Sequence, residues 1–165
     1  MSEKLVTSTA WCFGDNINTD VIYPGRYLVV TDPIEMGRFA MAGIDSGFGK
    51  KVRTGDIIIA GSNFGMGSSR EQAAIAIKNV GIIAIFARSF ARIFYRNIIN
   101  QGVYAFICSD GIKIAKTGDT VEIDFGACRL INITSSKVCD FESIPNFLLE
   151  IIQAGGNIQY LKNKL

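Results

Sequence analysis

A short run of strand character, Asp56-Ile57-Ile58-Ile59-Ala60, passes into the glycine- and serine-rich stretch Gly61-Ser62-Asn63-Phe64-Gly65-Met66-Gly67-Ser68-Ser69-Arg70-Glu71-Gln72. That stretch leads directly into Ala73-Ala74-Ile75-Ala76-Ile77-Lys78-Asn79-Val80, whose apolar residues recur at helical spacing. A strand that turns through glycines straight into a helix restricts the chain to an α/β architecture. The rhythm then repeats. Ala73, Ala76, Ile77 and Val80 share one helix face, Gly81 stops the helix, and residues 82–87 read as a buried strand. Ser89 starts a second helix with Phe90, Ile93 and Phe94 on its apolar face, and Gly102 ends it before a strand over 103–108. Strand-helix-strand-helix-strand at this length implies parallel strands joined by right-handed crossovers.

The turn between the first strand and its helix is where an anion binds. Glycines at 61, 65 and 67 allow positive φ and close approach to a ligand, and the first amides of a helix point outward without an internal partner. Ser68 with Glu71, and Ser69 with Gln72, each fit a capping box, so one serine is expected to cap the helix. Arg70 does not fit that role. A cation in the first turn opposes the helix dipole, so it needs another purpose, such as holding a carboxylate through its planar fork. Nucleotide readings fail: Arg70 stands where the dinucleotide fingerprint needs its third glycine, and no Gly-Lys-Ser/Thr follows.

Elsewhere the pattern is simpler. Residues 1–13 read as a strand ending in Trp11-Cys12-Phe13. Asn16-Ile17-Asn18-Thr19-Asp20 opens like a calcium loop but has Val21 and Tyr27 where the glycine and glutamate belong, which excludes calcium and leaves Asp20 a turn residue bonding backbone amides. Tyr23-Pro24-Gly25-Arg26 is a turn, and Leu28, Val29 and Val30 after it fit a core strand or a loop equally. Pro33 opens a helix through Ile34, Met36, Phe39 and Ala40, and 43–55 reads as loop. Past Ser109 the residues alternate, with Val121, Ile123 and Phe125 and then 129–134, as in antiparallel strands. A helix over 145–154 and a short helical tail close the chain. Thr-Gly-Asp occurs at both 54–56 and 117–119, a shared turn and not a repeat.

With 165 residues, 48% apolar and 19% charged, the chain is expected to form one folded domain over 1–165. A net charge of +2, with its cations dispersed, argues against nucleic acid, and Arg88, Arg92 and Arg96 read as a solvated face. No apolar run approaches a membrane span and no basic-then-apolar leader opens the sequence, so the expected location is the cytoplasm. There is no histidine, which removes the commonest general base and the serine-histidine triad. Cys12, Cys108, Cys128 and Cys139 have no metal-ligand spacing and are read as buried or incidental thiols, with no cofactor on this chain.

Asn18-Thr19-Asp20, Gly67-Ser68-Ser69-Arg70-Glu71-Gln72-Ala73-Ala74, and Ser89-Phe90-Ala91-Arg92-Ile93-Phe94 with Asn97 and Gly102, in that order, resemble the swivelling domain of the aconitase superfamily. More narrowly, the chain is similar over nearly its whole length to the free-standing small subunits of 3-isopropylmalate dehydratase and its close relatives. The resemblance implies a three-layer β/β/α domain of parallel strand-helix units plus an antiparallel β layer. It implies half of a hydro-lyase of leucine biosynthesis, active only with a large subunit that carries a [4Fe-4S] cluster, as a heterodimer or heterotetramer. Ser68 is then the base, Ser69 and Arg70 hold a carboxylate of a small dicarboxylic hydroxy acid, and Asp20 belongs to the same pocket. Tyr27, Leu28, Val29 and Val30 correspond to the specificity loop, where homoaconitase-type subunits carry an arginine in the place of Val29. A hydrocarbon there leaves a third carboxylate unpaired, so the implied substrate is 2-isopropylmalate/3-isopropylmalate. Citraconate or methylmalate, dimethylmalate and homoaconitate are the implied alternatives. Outside the family, the residues also fit an anion-binding module or a purely structural subunit.

Overall fold

The computed structural model describes residues 4–165. In chain order its elements are β1 (Leu5–Cys12), α1 (Thr19–Ile22), a 3-10 turn (Gly25–Tyr27), α2 (Pro33–Gly37), α3 (Phe48–Lys51), β2 (Ile57–Ala60), α4 (Glu71–Val80) and β3 (Ala84–Ala87). There follow α5 (Arg92–Asn100), β4 (Tyr104–Ile107), α6 (Gly111–Ile114), β5 (Thr120–Asp124), β6 (Arg129–Asn132), β7 (Lys137–Asp140), α7 (Asn146–Gln153) and α8 (Asn157–Lys164). Of the strand expected over 1–13, the first three residues lie outside the described part. No helix among the described residues is long and apolar enough to cross a membrane.

β2 and β3 are buried at every residue, as their continuous apolar runs require of parallel strands covered on both faces. The seven described strands form one sheet in the order β4-β3-β2-β1-β5-β6-β7. β1 joins its two halves. Its C-terminal end runs parallel to β2, Ala10 opposite Ile57, and its N-terminal end runs antiparallel to β5, Leu5 opposite Asp124. The antiparallel part is thus a continuation of the parallel part, and it curls back over one of its faces. Aromatic side chains fill the fold of that curl. Phe86 of β3 and Phe106 of β4 stack at 5.1 Å, and Phe141, just past β7, meets them at 5.1 and 4.3 Å. Phe125, just past β5, reaches Tyr104 at 5.0 Å. Each buried ring of this kind stabilises the fold by roughly 2–3 kcal/mol relative to exposure.

Helices α4 and α5 are the crossovers of the parallel part, in contact with each other, with α2 against α4 and α7 against α5. Gly81 caps α4 in the left-handed conformation, and Gly102, also at positive φ, follows α5 as expected. The recurring Thr-Gly-Asp marks the same turn twice, since Asp56 Oδ2 accepts from Arg53 N and Asp119 Oδ2 from Lys116 N, both at 2.9 Å.

Three local expectations are corrected, and one open alternative is decided. The 43–55 segment is not all loop, because Phe48 of α3 is fully buried against Trp11 and Phe13 at 5.1 and 5.9 Å, and that packing orders a single helical turn. The second helix begins at Arg92, not Ser89, because Ser89 and Ala91 bond instead to the loop after β2. Ile93 is consequently 53% exposed and off the apolar face. Leu28, Val29 and Val30 form no strand: the chain turns there, with Leu28 N donating to Gly25 O and Val30 N to Tyr27 O.

Candidate functional site

After β2 the chain leaves the sheet, and residues 61–68 run between two other segments that bond to their backbone. On one side Asn16 N donates to Ser62 O, Gly65 N to Ile17 O and Thr19 N to Met66 O, all within 2.9 Å. On the other, Arg88 N donates to Gly61 O, Phe64 N to Ser89 O and Ala91 N to Phe64 O, at 2.9–3.1 Å. Asp15 Oδ1 and Ser89 Oγ accept from Ser62 N and Asn63 N at 2.7 Å. The three motifs that are separate in sequence therefore meet because the central loop is paired on both edges.

Two glycines make that pairing sterically possible. Gly65 has φ 84° and lies against the Phe94 ring, which a Cβ would penetrate. Gly67 has φ 95°, and a Cβ there would stand 2.8 Å from the Asn18 amide. Gly61, expected to share this conformation, does not; what excludes a side chain there is the Asp15 carboxylate.

The capping boxes do not form. α4 starts at Glu71 and its N-cap is Arg70, with no side-chain cap. The reason is a competing turn, in which Ser68 O accepts from Arg70 N at 2.9 Å and from Thr19 Oγ1 at 2.8 Å, leaving both serine side chains ahead of the helix and exposed. Arg70 is therefore not in the first turn, where Glu71 supplies the charge the dipole favours. Its guanidinium runs back to α1 instead. Nη1 lies 2.8 Å from Asp20 Oδ1 and donates to Tyr23 O at 3.0 Å, which leaves the Nε–Nη2 edge as a fork for a carboxylate.

Asp20 is free for this because Asn18 does the turn's work, its Oδ1 accepting from Asp20 N at 2.7 Å as the cap of α1. The turn role expected of Asp20 thus belongs to Asn18.

Ser68, Ser69 and Arg70 open into a pocket of about 340 Å³ whose other polar walls are Thr19, Arg92 and Asn97. Arg92 is exposed, and its side chain makes no hydrogen bond or ion pair with another described residue. It was expected on a solvated face with Arg88 and Arg96, yet it stands at the pocket. Thr19, 2% exposed, has a hydroxyl 3.2 Å from Ser68 Oγ; it lies in the Asn18-Thr19-Asp20 motif, but no role is read for it there. Asp20 does not line the pocket and reaches it only through Arg70. Tyr27, Leu28, Val29 and Val30 are also outside it. They are tied to it indirectly: buried Tyr23, whose carbonyl holds Arg70, donates its hydroxyl to Tyr27 O at 2.8 Å, and Tyr27 stacks on Phe39 at 4.1 Å. Val29 is 85% exposed.

The described residues offer no ligand set for an iron-sulfur cluster. Among the described residues no three of His, Cys, Asp and Glu gather as a metal site. Cys108 and Cys139 meet, Sγ to Sγ at 3.5 Å, with Cys139 donating, so that Cys108 is lowered and Cys139 raised from the ordinary thiol range. Cys12 stands apart, and burial, with the Asp119 carboxylate nearby, pushes its thiol up to about 12.

A family model described as the aconitase C-terminal domain matches residues 14–110. The isopropylmalate/citramalate isomerase small subunit of Methanocaldococcus jannaschii is 44% identical over 162 residues, 98% of this chain and 96% of that one. The methanogen homoaconitase small subunit of the same organism is 49% identical over 161 residues, 97% and 93% of the two chains. The crystal structure of 3-isopropylmalate dehydratase (leuD) from that organism superposes with a TM-score of 0.92 at 48% identity, covering 98% of this chain and 95% of that one.

Gly65→Ala tests the frame of the site. Left-handed strain and overlap with the Phe94 ring together should cost about 2–5 kcal/mol in urea unfolding. Gly118→Ala, at φ 95° with nothing within 4 Å, should lose only the strain, about 1–2 kcal/mol. Equal losses at both positions would mean that Gly65 answers to conformation alone.

Proposed function

The chain belongs to the aconitase C-terminal domain family, and on that premise we propose that it is the small subunit of a two-chain hydro-lyase interconverting 2-isopropylmalate and 3-isopropylmalate by removal and re-addition of water. It serves leucine biosynthesis in the cytoplasm and is active only when assembled with its large subunit as a heterodimer or heterotetramer. The observation that carries the reading is the meeting of Ser68, Ser69 and the open edge of Arg70 in one solvent-facing pocket beside the start of α4.

The Nε–Nη2 fork of Arg70 and the Ser69 hydroxyl take one carboxylate of the hydroxy acid. Asp20 holds Arg70 by Nη1, so the free edge of the guanidinium keeps a fixed direction. With the carboxylate seated, Ser68 Oγ removes the proton from the adjacent carbon. Ser68 acts as its alkoxide, its own proton having been released to solvent. The C–H bond breaks, an O–H bond forms on Ser68, and the electron pair enters the new C=C bond as hydroxide departs from the neighbouring carbon. The proton on Ser68 returns to the substrate on rehydration. Departure of hydroxide needs an electrophile these residues lack, and a [4Fe-4S] cluster on the large subunit supplies that Lewis acid.

Substrate choice depends on the Val29 turn. A half-site that a second subunit covers brings this exposed side chain against the variable group of the substrate, and a valine there favours a hydrocarbon over a third carboxylate. The relatives named for citramalate and for homoaconitate keep neighbouring substrates in view, of which Val29 disfavours only homoaconitate.

In the assembled enzyme, Ser68→Ala should lower kcat by about 10³-fold, the usual worth of a positioned base, with unfolding midpoint and subunit association unchanged. Undiminished turnover would remove Ser68 from the mechanism. Val29→Arg should move the ratio of kcat/KM toward homoaconitate and away from 3-isopropylmalate, by about tenfold or more. An unchanged ratio in steady-state assays of both acids would detach specificity from this turn.

A further inference from the structure

We propose that Thr19 is a positioning residue for the base, a buried hydroxyl that switches its proton onto Ser68 Oγ when that oxygen is ionised. The inference rests on the reading of Ser68 as the base and deepens it. A serine hydroxyl is a poor base until its alkoxide is stabilised, and the two groups beside it in sequence are turned elsewhere. Nη1 of Arg70 faces Asp20 and Tyr23 O, and α4 begins three residues further on. Among the described residues the hydrogen-bond partner of Ser68 Oγ is Thr19 Oγ1, at 3.2 Å.

Both acceptors within reach of the Thr19 hydroxyl belong to Ser68: the carbonyl oxygen at 2.8 Å and Oγ at 3.2 Å. The threonine itself is fixed. It is 2% exposed, its amide donates to Met66 O at 2.9 Å, and its carbonyl accepts from Tyr23 N at 2.8 Å. A threonine hydroxyl has one proton and two lone pairs. While Ser68 is protonated, Thr19 donates to the Ser68 carbonyl, and its Oγ1 accepts a hydrogen bond from the Ser68 hydroxyl. Once Ser68, which is exposed, has released its proton to solvent, its oxygen becomes the stronger acceptor, and rotation about the Cβ–Oγ1 bond of Thr19 redirects the Thr19 hydroxyl proton to hydrogen-bond it. The carbonyl is not orphaned by this, because Arg70 N still donates to it at 2.9 Å. When Ser68 then takes the substrate's proton, the C–H bond breaks, Ser68 O–H forms and the Thr19 proton returns to the carbonyl. No atom moves further than a hydroxyl rotation.

Thr19→Val removes the hydroxyl while keeping the branched shape, Thr19→Ala removes it with less bulk, and Thr19→Ser restores it. All are measured in the assembled two-subunit enzyme, beside Ser68→Ala. The charged groups around Ser68 are Arg70 and Asp20, bonded to each other, and Arg92 across the pocket; none is altered in these variants. Thr19→Val and Thr19→Ala should each lower kcat by on the order of 10- to 100-fold, the worth of one hydrogen bond to a charged group, with KM changed by less than about threefold. The rising limb of the kcat–pH profile should move to higher pH, because loss of the donor disfavours ionised Ser68. Thr19→Ser should recover both kcat and the profile. A wild-type kcat in Thr19→Val, or equal losses in all three variants with an unmoved profile, would overturn the switch and leave Thr19 a structural residue. An active Ser68→Ala enzyme would instead overturn the assignment of the base, and the switch with it.

Discussion

The site exists because a glycine-rich loop that cannot fold on its own is paired along both edges of its backbone. Residues 61–68 give and receive main-chain hydrogen bonds with 16–19 on one side and 88–91 on the other, beyond the end of the parallel strands. Glycine is the least constrained residue, and a loop with three of them would ordinarily sample many conformations. Here the amides of Gly65 and Phe64 and the carbonyls of Gly61, Ser62, Phe64 and Met66 all have fixed partners, so the loop behaves like a short central strand. Ser68 inherits its position from that pairing. The bridge of Asn18 with Met66 sets Thr19 beside Ser68, and the two contacts of the Thr19 hydroxyl continue the ladder one residue past the last backbone bond.

Charge is arranged with similar economy. Arg70 and Asp20 form a pair at 2.8 Å in which the carboxylate side is 60% exposed and the guanidinium 22%, so the pair contributes little to stability and much to direction. Nη1 is committed to Asp20 and Tyr23 O, while Nε and Nη2 have no hydrogen-bond partner among the described residues. Arg92, whose side chain has no partner among the described residues, adds a second cation to the pocket lining. The exposed Val29 turn lies outside this pocket, and the relatives at 44% and 49% identity are named as small subunits.

Several of these features could be read from the sequence and others could not, for reasons that differ. The rhythm of β2, α4, β3, α5 and β4 was readable because continuous apolar runs, helical spacing and the stops at Gly81 and Gly102 are all local. The capping boxes at Ser68 and Ser69 misled because a contact from 49 residues away, Thr19 to Ser68, helps hold a tight turn where a cap was expected. The single helical turn at Phe48 is likewise tertiary, sustained by Trp11 and Phe13 against a segment whose glycines and lysines favour loop. β7 went unnoticed because its burial does not alternate clearly at the edge of the sheet. Asp20 was recognised through a family motif, whereas its physical role, holding Arg70 by one nitrogen, needed coordinates. Thr19 and Arg92 lie in the family motifs, but nothing in the sequence gives them a task; the hydrogen bonds of Thr19 to Ser68 and the place of Arg92 in the pocket needed coordinates.

Native-state hydrogen exchange at the amides of Thr19, Phe64, Gly65 and Ala91 examines this frame most directly. If the paired loop is part of the folded core, these amides exchange only through the opening that exposes the amides of β2, with the same dependence on denaturant. Exchange at the rate of a free loop, unaffected by denaturant, would contradict the account, because Ser68 would then have no fixed place beside Thr19 and Arg70.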